Sequence, residues 1–414
     1  MEFYEHLKKY LNDKEIAELE TSLNEDSKHA LLLNSEKMSQ ETLFKLFPDI
    51  TPHPIVKNAF IYDINKCHAG KLIYLELGCY YLQEPSAMVP AFLLNPSKDD
   101  LVLDLCAAPG GKSMQASLLM ENKGLIIAND ISRSRINAVL ENAERMGRGN
   151  LLITNNDFSE IYTKFNNTFD KIILDAPCSG SGMFRKDKKM VSDWTYQKVL
   201  KCAEMQKNLI LMAYQMLKPG GTMVYSTCSF SYEEDEVVIQ YLLDNSDATL
   251  EHIKDHPLYY KSNIGYGIHL FPYKFPGEGH YIALIKKPGE LKKRKVDGYY
   301  LEKVKFGDYL FTISEPFPTK NLRVVRYGVK IGQVDKNDIR YDYHYAHFIS
   351  SFERVFSLDD ISIITYYLGN TIDVAIPKGY VLLQYKGINV DIAKSDGRII
   401  KNRLPKGLRR IAVS

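Results

Sequence analysis

The chain has 414 residues, 45% apolar and 25% charged, with a formal net charge of +2. That is ordinary globular composition, long enough for two or three domains, and it excludes a disordered, collagen-like or disulfide-stapled chain. The start, MEFYEHLKKYLNDKE, is charged throughout and no apolar run approaches the roughly 18 residues of a membrane span, so neither secretion nor insertion is expected and a cytoplasmic location is.

Residues 1 to about 33 place apolar side chains at helical spacing (Phe3, Leu7, Tyr10, Leu11, Ile16, Leu19, Leu23) before a proline-rich interruption at Pro48, Pro52 and Pro54, and 1–71 is expected to be a mainly helical N-terminal region that binds RNA. From 72 to 287 the pattern becomes short buried strands alternating with helices: LVLDLCA, KSMQASLLMENKG, LIIAND, SRINAVLENAERMG, LLITNND, KIILDAP, a long helix over 195–217, and GGTMVYSTCS. This alternation predicts an α/β fold with a doubly wound, Rossmann-like parallel sheet and a ligand site beyond the carboxyl ends of its strands. The stretch 288–300 has linker composition, and 301–414 reads as a β-rich C-terminal domain of one or two subdomains (YLFTI, VVRYGVKIG, IDVAIP, GYVLLQYKG). Charge is unevenly spread: residues 1–286 hold 30 Lys/Arg against 37 Asp/Glu, whereas 287–414 hold 23 against 14. A basic appendage on a slightly acidic body points to a polyanionic partner, with RNA or DNA foremost.

The motifs fall at strand ends. In LVLDLCAAPGGKS (101–113) a strand gives way to a Pro109-Gly110-Gly111 turn, and Lys112 opens a helix whose amides face a carboxylate or phosphate. Asp130 ends the next strand about twenty residues on, where an acid accepts from ribose hydroxyls. Asp157 ends the third, placed to accept from an adenine amine. Each acid alone suits a helix cap equally well, but three at successive strand ends favour a nucleoside pocket. The absence of GxGxxG disfavours a nicotinamide-dependent dehydrogenase, which stays as an alternative, as does a catalytically inactive RNA-binding assembly factor.

Six cysteines occur, none in CxxC or Cys/His ligand spacing, so neither a disulfide framework nor a metal is expected. Cys67, Cys79, Cys106 and Cys202 have the context of packing residues. Cys178 in DAPCSGSG and Cys228 in YSTCSFS differ: both follow strands among small residues, and Asp175 precedes Cys178 by three. A thiolate that adds to an electron-poor ring makes a neighbouring carbon nucleophilic, so the pair reads as nucleophile and helper, in either order.

Together LDLCAAPGGKS, DAPCSGSGMFRKD, YSTCSFSYEEDE, the upstream QEPSAM (83–88) and the downstream FPYKFPGEGHYIA resemble the RsmB/RsmF (Sun-like) family of RNA cytosine-C5 methyltransferases. The five motifs run in family order over 83–283, and the basic tail ending in LPKGLRRI resembles the PUA-like extension of the RsmF branch. The resemblance implies S-adenosylmethionine as cofactor, bound by Cys106, Ala107, Ala108, Pro109, Gly110, Gly111 and Lys112. It implies Asp130 at the ribose, Asp157 at the adenine, and Asp175 between the methionine amine and the cytosine. Cys228 would add to cytosine C6, and Cys178 would assist loss of the C5 proton and release of the enzyme. The implied substrate is small-subunit (16S) ribosomal RNA near the decoding region, with transfer RNA as the alternative. Arg185, Lys186 and Lys188 are expected along the phosphates beside a flipped cytosine. The seven basic residues from Lys394 to Arg410, and more weakly the aromatic run 340–348, are expected to meet RNA.

Overall fold

The computed structural model describes residues 3–293, 302–335 and 338–409. The chain begins with two helices, Phe3–Leu7 and Asp13–Leu23. The second opens in a capping box, with Asn12 accepting from Glu15 N and Glu15 accepting from Asn12 N, which satisfies two otherwise orphaned amides. Its stripe of Ile16, Leu19 and Leu23 packs with Leu7 against Phe184, Trp194, Phe230 and Phe271.

Beyond Leu23 the mainly helical expectation gives way. β1 (His29–Leu33), β2 (Thr51–Pro52), β3 (Ala59–Tyr62) and β4 (Tyr80–Gln83) form an antiparallel sheet in the order β2-β3-β1-β4. The runs HALLL, AFIY and YYLQ are short, apolar and aromatic, and they pack as a pleated surface rather than as helix turns.

The central sheet follows: β5 (Leu101–Asp104), β6 (Leu125–Asn129), β7 (Leu151–Thr154), β8 (Phe169–Asp175), β9 (Leu217–Thr227), β10 (Thr249–Leu250), β11 (Ile268–Leu270) and β12 (His280–Lys286). β5 to β9 are parallel in the order β9-β8-β5-β6-β7, and β12 runs antiparallel beside β9. Their residues are buried on both faces, and alternate side chains enter two cores. Val102, Ile126, Ile173 and Val224 go to one face; Leu103, Ile127, Ile172 and Met223 go to the other. The chain leaves β5 toward β6 and β7, then returns to β8 on the opposite side. The strand order therefore reverses between β5 and β8, which opens a crevice at their carboxyl ends. This is the doubly wound α/β fold that the sequence predicts.

The C-terminal residues form two further sheets. β13 (Glu302–Phe306), β14 (Tyr309–Ile313), β16 (Val329–Asp335) and β17 (Asp338–Tyr341) make one, while β15 (Val324–Tyr327) leaves it to pair antiparallel with β7 at the edge of the central sheet. β18 (Val355–Leu358), β19 (Ile372–Asp373), β20 (Gly379–Tyr385), β21 (Ile388–Ser395) and β22 (Ile399–Lys401) make the other, with the helix Asp360–Tyr367. Tyr366, Tyr367, Val381 and Leu383 of this unit share one core with Leu31, Phe60 and Tyr80 of the N-terminal sheet. The basic third of the chain is thus packed into the body at two places. Of the expected linker 288–300, residues 294–300 lie outside the described residues. No helix among the described residues is long and apolar enough to cross a membrane.

Candidate active site

The crevice is built from the ends of β5, β8 and β9. Asp175, the last residue of β8, accepts a hydrogen bond from Lys112 Nζ at 2.7 Å on Oδ2 and from Ser226 Oγ at 2.7 Å on Oδ1, and His280 Nε2 lies 3.4 Å from Oδ1. Burial alone would raise its carboxyl, but Lys112 and His280 outweigh that and hold it well below the usual carboxylate range. Lys112 reaches Asp175 because the loop after β5 turns sharply at Gly110 (φ +110°) into the helix Gly111–Leu119. A Cβ at Gly111 would sit 2.8 Å from Gln83 Nε2, so the loop lies flush against β4.

The two cysteine loops lie side by side because β8 and β9 are adjacent and parallel. Ala176 N donates to Ser226 O (2.8 Å), Gly182 N to Cys228 O (2.7 Å) and Phe230 N to Ser181 Oγ (2.8 Å). Cys178 Sγ lies 3.1 Å from Cys228 Sγ. A Cβ on Gly182 would meet the carbonyl oxygens of Cys228 and Gly279 at 2.8 Å each, so only glycine fits between them. Beneath both loops the buried Glu234 carboxylate accepts from Ser179 N (2.8 Å), Ser179 Oγ, Ser229 Oγ (2.7 Å) and Gln206 Nε2 (3.1 Å). Gln206 also donates to Pro177 O at 2.8 Å. Glu234 joins residues on either side of the sulfur pair, a role that the sequence did not signal. The contact with the Cys228 thiol, and then burial, push the Cys178 thiol well above its ordinary value, so Cys178 keeps its proton at neutral pH. Burial likewise raises Cys106, takes Cys202 to about 11 and takes Cys79 to about 12, as packing residues should show.

A cavity of ≈310 Å³ occupies the crevice. Its walls include Cys106, Ala107, Ala108, Pro109, Gly111, Lys112, Asp175 and Cys228 from the predicted set, and Cys178 stands behind Cys228. Gly110 shapes the loop without lining the cavity. Asp130 is buried beside the loop, where it accepts from Ala108 N (3.2 Å) and Ser132 N (2.8 Å), with Arg135 3.6 Å away. Asp157 caps the helix Phe158–Tyr162, accepting from Ser159 N (2.9 Å) and Ser159 Oγ (2.6 Å), and these bonds lower its carboxyl. Neither acid is among the cavity walls.

Asp104 and His280 are further wall residues that the sequence reading did not single out, although both lie inside quoted motifs. Asp104 Oδ2 accepts from Ser113 Oγ at 2.6 Å, while Oδ1 is buried with no hydrogen-bond partner among the described residues. Burial pushes this carboxyl up to about 7. Gln83 Oε1, also in the wall, is equally unpartnered. Orphaned acceptors facing a cleft fit a ligand that brings donors or positive charge, as the amine and sulfonium of S-adenosylmethionine do.

The three basic residues after Gly182 separate. Arg185 is buried and pairs with Glu278 (2.9 Å) while donating to Gly277 O and Ser22 O, so it ties the N-terminal helices to the body and is not a phosphate contact. Four hydrogen bonds from its guanidinium are spent on Glu278, Gly277 O and Ser22 O inside the protein, out of reach of a phosphate. Lys186 is exposed and lines the cavity; Lys188 is exposed outside it. In the aromatic run, Tyr343, Ala346 and His347 are core, and only Tyr341 and Tyr345 stack at 5.9 Å near the surface. Lys394 and Arg403 lie over the Tyr380 ring at 5.2 and 5.6 Å; Arg410 lies outside the described residues.

Three family models match the chain: the N-terminal domain of 16S rRNA methyltransferase RsmF over 1–85, 16S rRNA methyltransferase RsmB/F over 91–286, and the RsmF PUA domain over 353–410. The chain is 30% identical to ribosomal RNA small subunit methyltransferase F of Vibrio parahaemolyticus, over 92% of this chain and 91% of that protein. It is 40% identical to the tRNA (cytosine(49)-C(5))-methyltransferase of Pyrococcus abyssi, over 55% of this chain and 75% of that protein. Among solved structures, a methyltransferase homologue from Pyrococcus horikoshii superposes with a TM-score of 0.59 at 29% identity, covering 68% of this chain and 93% of that one. NSun6 from the same organism, solved with SFG, shares the fold with a TM-score of 0.63 at 22% identity, covering 70% of this chain and 98% of that one.

Proposed function

The chain belongs to the RsmB/F family of 16S rRNA methyltransferases, and from that premise we propose that it methylates carbon 5 of a cytosine in small-subunit ribosomal RNA, in the cytoplasm, with S-adenosylmethionine as donor. The observation that carries this reading is the sulfur pair, Cys178 and Cys228 3.1 Å apart, with Cys228 in the wall of a cavity that the Lys112–Asp175 ion pair also lines.

Each residue then has a task. Cys228, as thiolate, forms an S–C6 bond to the cytosine, and the displaced electron pair makes C5 nucleophilic. The bound donor supplies an electrophilic methyl group on a sulfonium, which leaves as S-adenosylhomocysteine. Cys178 keeps its proton during the attack, so it does not compete as nucleophile; after methyl transfer it gives that proton to solvent and as thiolate accepts the C5 proton, while the C5–H electron pair re-forms the C5=C6 bond and expels Cys228 as thiolate. Asp175, ionised, accepts from the cytosine amine or the methionine amine. Residues 106–112 wrap the donor, Asp130 orders that loop and faces the ribose, and Asp157 offers its remaining carboxylate oxygen to the adenine. Asp104 Oδ1 accepts from the donor's ammonium group.

The test uses the full chain, radiolabelled donor, and small-subunit ribosomal RNA, assembled subunits and transfer RNA in parallel, with bisulfite sequencing to locate the product. Labelled 5-methylcytosine in the ribosomal substrate is expected. Cys178→Ala should accumulate an SDS-resistant protein–RNA adduct, and its absence on a verified substrate would reverse or remove the assigned thiol roles. Product on transfer RNA alone would favour the second reading, which the 40% identity to the Pyrococcus abyssi enzyme supports.

A further inference from the structure

A second cavity of ≈320 Å³ lies beside the catalytic one, between the N-terminal sheet and the loops that carry the site. The two cavities share Leu82, Gln83, Glu84, Lys186 and Glu278 as walls, so they are adjoining chambers of one cleft. One side of the outer chamber carries Leu82 and the cross-strand pair His29 and Tyr62 on one face of the N-terminal sheet, the two rings 5.7 Å apart and tilted by 30°. The rim carries Lys28, Lys71 and Lys186, all exposed, and none of the three makes an ion pair among the described residues. The two glutamates of the shared wall are already engaged. Glu84 accepts from Ser86 N, Ala87 N and Glu278 N, and Glu278 is paired with Arg185. The charge left facing the cleft is therefore positive.

We propose that this outer chamber holds the nucleotide next to the target cytosine, with its base laid on the His29/Tyr62/Leu82 wall and its phosphate held by Lys28, Lys71 and Lys186. The proposal rests on the RNA-methylating reading of the catalytic cavity. A cytosine that reaches Cys228 has left its stack, so its neighbour also loses a stacking partner and gains from an aromatic protein surface. Three unpaired lysines around that surface are what a turning phosphate backbone needs, since each phosphate contact releases bound counter-ions. Lys186 stands in both chambers, at the phosphate between the two nucleotides. The N-terminal sheet thereby becomes a wall of the substrate site.

The test is the double variant Lys28→Glu/Lys71→Glu in the full chain, with Lys45→Glu, a charge reversal at an exposed lysine of the helix Gln40–Leu46 that lines neither chamber, as control. Filter retention of small-subunit ribosomal RNA is measured from low to high salt, alongside KM, kcat and donor affinity. The double variant should weaken RNA binding and raise KM about tenfold or more at low salt, and flatten the salt slope by about 0.7 per lost contact. Donor affinity and kcat at saturating RNA should stay within about twofold, and Lys45→Glu should match wild type. A double variant whose RNA affinity and salt slope equal wild type overturns the chamber, whether or not the enzyme methylates. Absent methylation by wild type would instead sink the proposed function and leave the binding measurement to decide the chamber. In a second arm, RNA with 4-thiouridine beside the mapped cytosine is trapped on Cys178→Ala and irradiated. Crosslinks within residues 28–30 or 62–71 support the placement, and crosslinks confined to other segments refute it.

Discussion

The carboxyl ends of β5, β8 and β9 and those of β6 and β7 carry the same kinds of residue, yet the structure uses them differently. At the first group, Asp104 keeps an unpartnered oxygen, Asp175 is held ionised by Lys112, and the two thiols stand in contact beside a cavity. At the second, Asp130 and Asp157 already accept two local hydrogen bonds each, from Ala108 and Ser132 and from Ser159. A strand-end acid is therefore only a candidate. What separates the two groups is access to the cavity: Asp104, Asp175 and Cys228 line it, whereas Asp130 and Asp157 do not.

The sharpest way to break that contrast is at the sulfur pair. On the proposed mechanism Cys228→Ala should reduce methyl transfer to background while leaving donor affinity and thermal stability near wild type, because among the described residues the thiol's side-chain hydrogen-bond contact is Cys178 alone. Retained turnover in quench-flow assays would move the chemistry to another residue. Gly182→Ala comes next. Its Cβ must displace the backbone carbonyl of Cys228 or Gly279, which shifts one cysteine loop against the other. A misplacement of this order costs about 10²-fold in kcat, so rapid-mix adduct formation should fall by roughly that factor with donor binding unchanged.

How legible was this contrast in the chain itself? The parallel sheet and both cysteine loops could be read because buried strands are continuous apolar runs and because Pro-Cys and Thr-Cys follow them directly. The packing of the basic third could not. β15 adds to β7 across more than 150 residues of sequence, and the shared core of Leu31 with Val381 has no local pattern that announces it. The strands of the N-terminal sheet were hidden for the opposite reason, since HALLL and YYLQ are too short for their periodicity to distinguish strand from helix turn. Arg185 illustrates a third limit. A basic residue next to a catalytic loop looks like a phosphate contact until its buried partner, Glu278, 93 positions away, is seen.

Asp104 allows a pH test of the unspent acceptor. Its carboxyl is raised by burial to about 7, so near and below that pH the empty site holds a proton that a positively charged donor amine would expel. Donor affinity should therefore rise as pH increases from about 5.5 to 7.5, with proton release visible in calorimetry across buffers of different ionisation enthalpy. Asp104→Asn should bind more weakly and lose both the pH dependence and the released proton. The same shift works against the empty protein's stability: because the folded form binds the proton more tightly than the unfolded chain, this group's contribution falls as pH rises from about 4 toward 7. Asp175 runs the other way, its depressed carboxyl contributing stability above the unfolded value that is lost on acidification.

The smallest effects belong to the second group of acids, and there two contributions must be separated. Asp157→Ala removes a helix cap, worth about 1 kcal/mol of stability, together with whatever its free oxygen gives the adenine. Asp157→Asn keeps the cap, because Asn accepts from Ser159 N equally well, while it replaces one carboxylate oxygen by an amide that repels an adenine amine. Asn should thus melt near wild type and still lose donor affinity several-fold, whereas Ala should lose both. If Asn binds the donor as wild type does and Ala differs only in melting temperature, Asp157 is a cap alone. The adenine then rests on apolar contacts, and the division between the two groups of strand ends is complete.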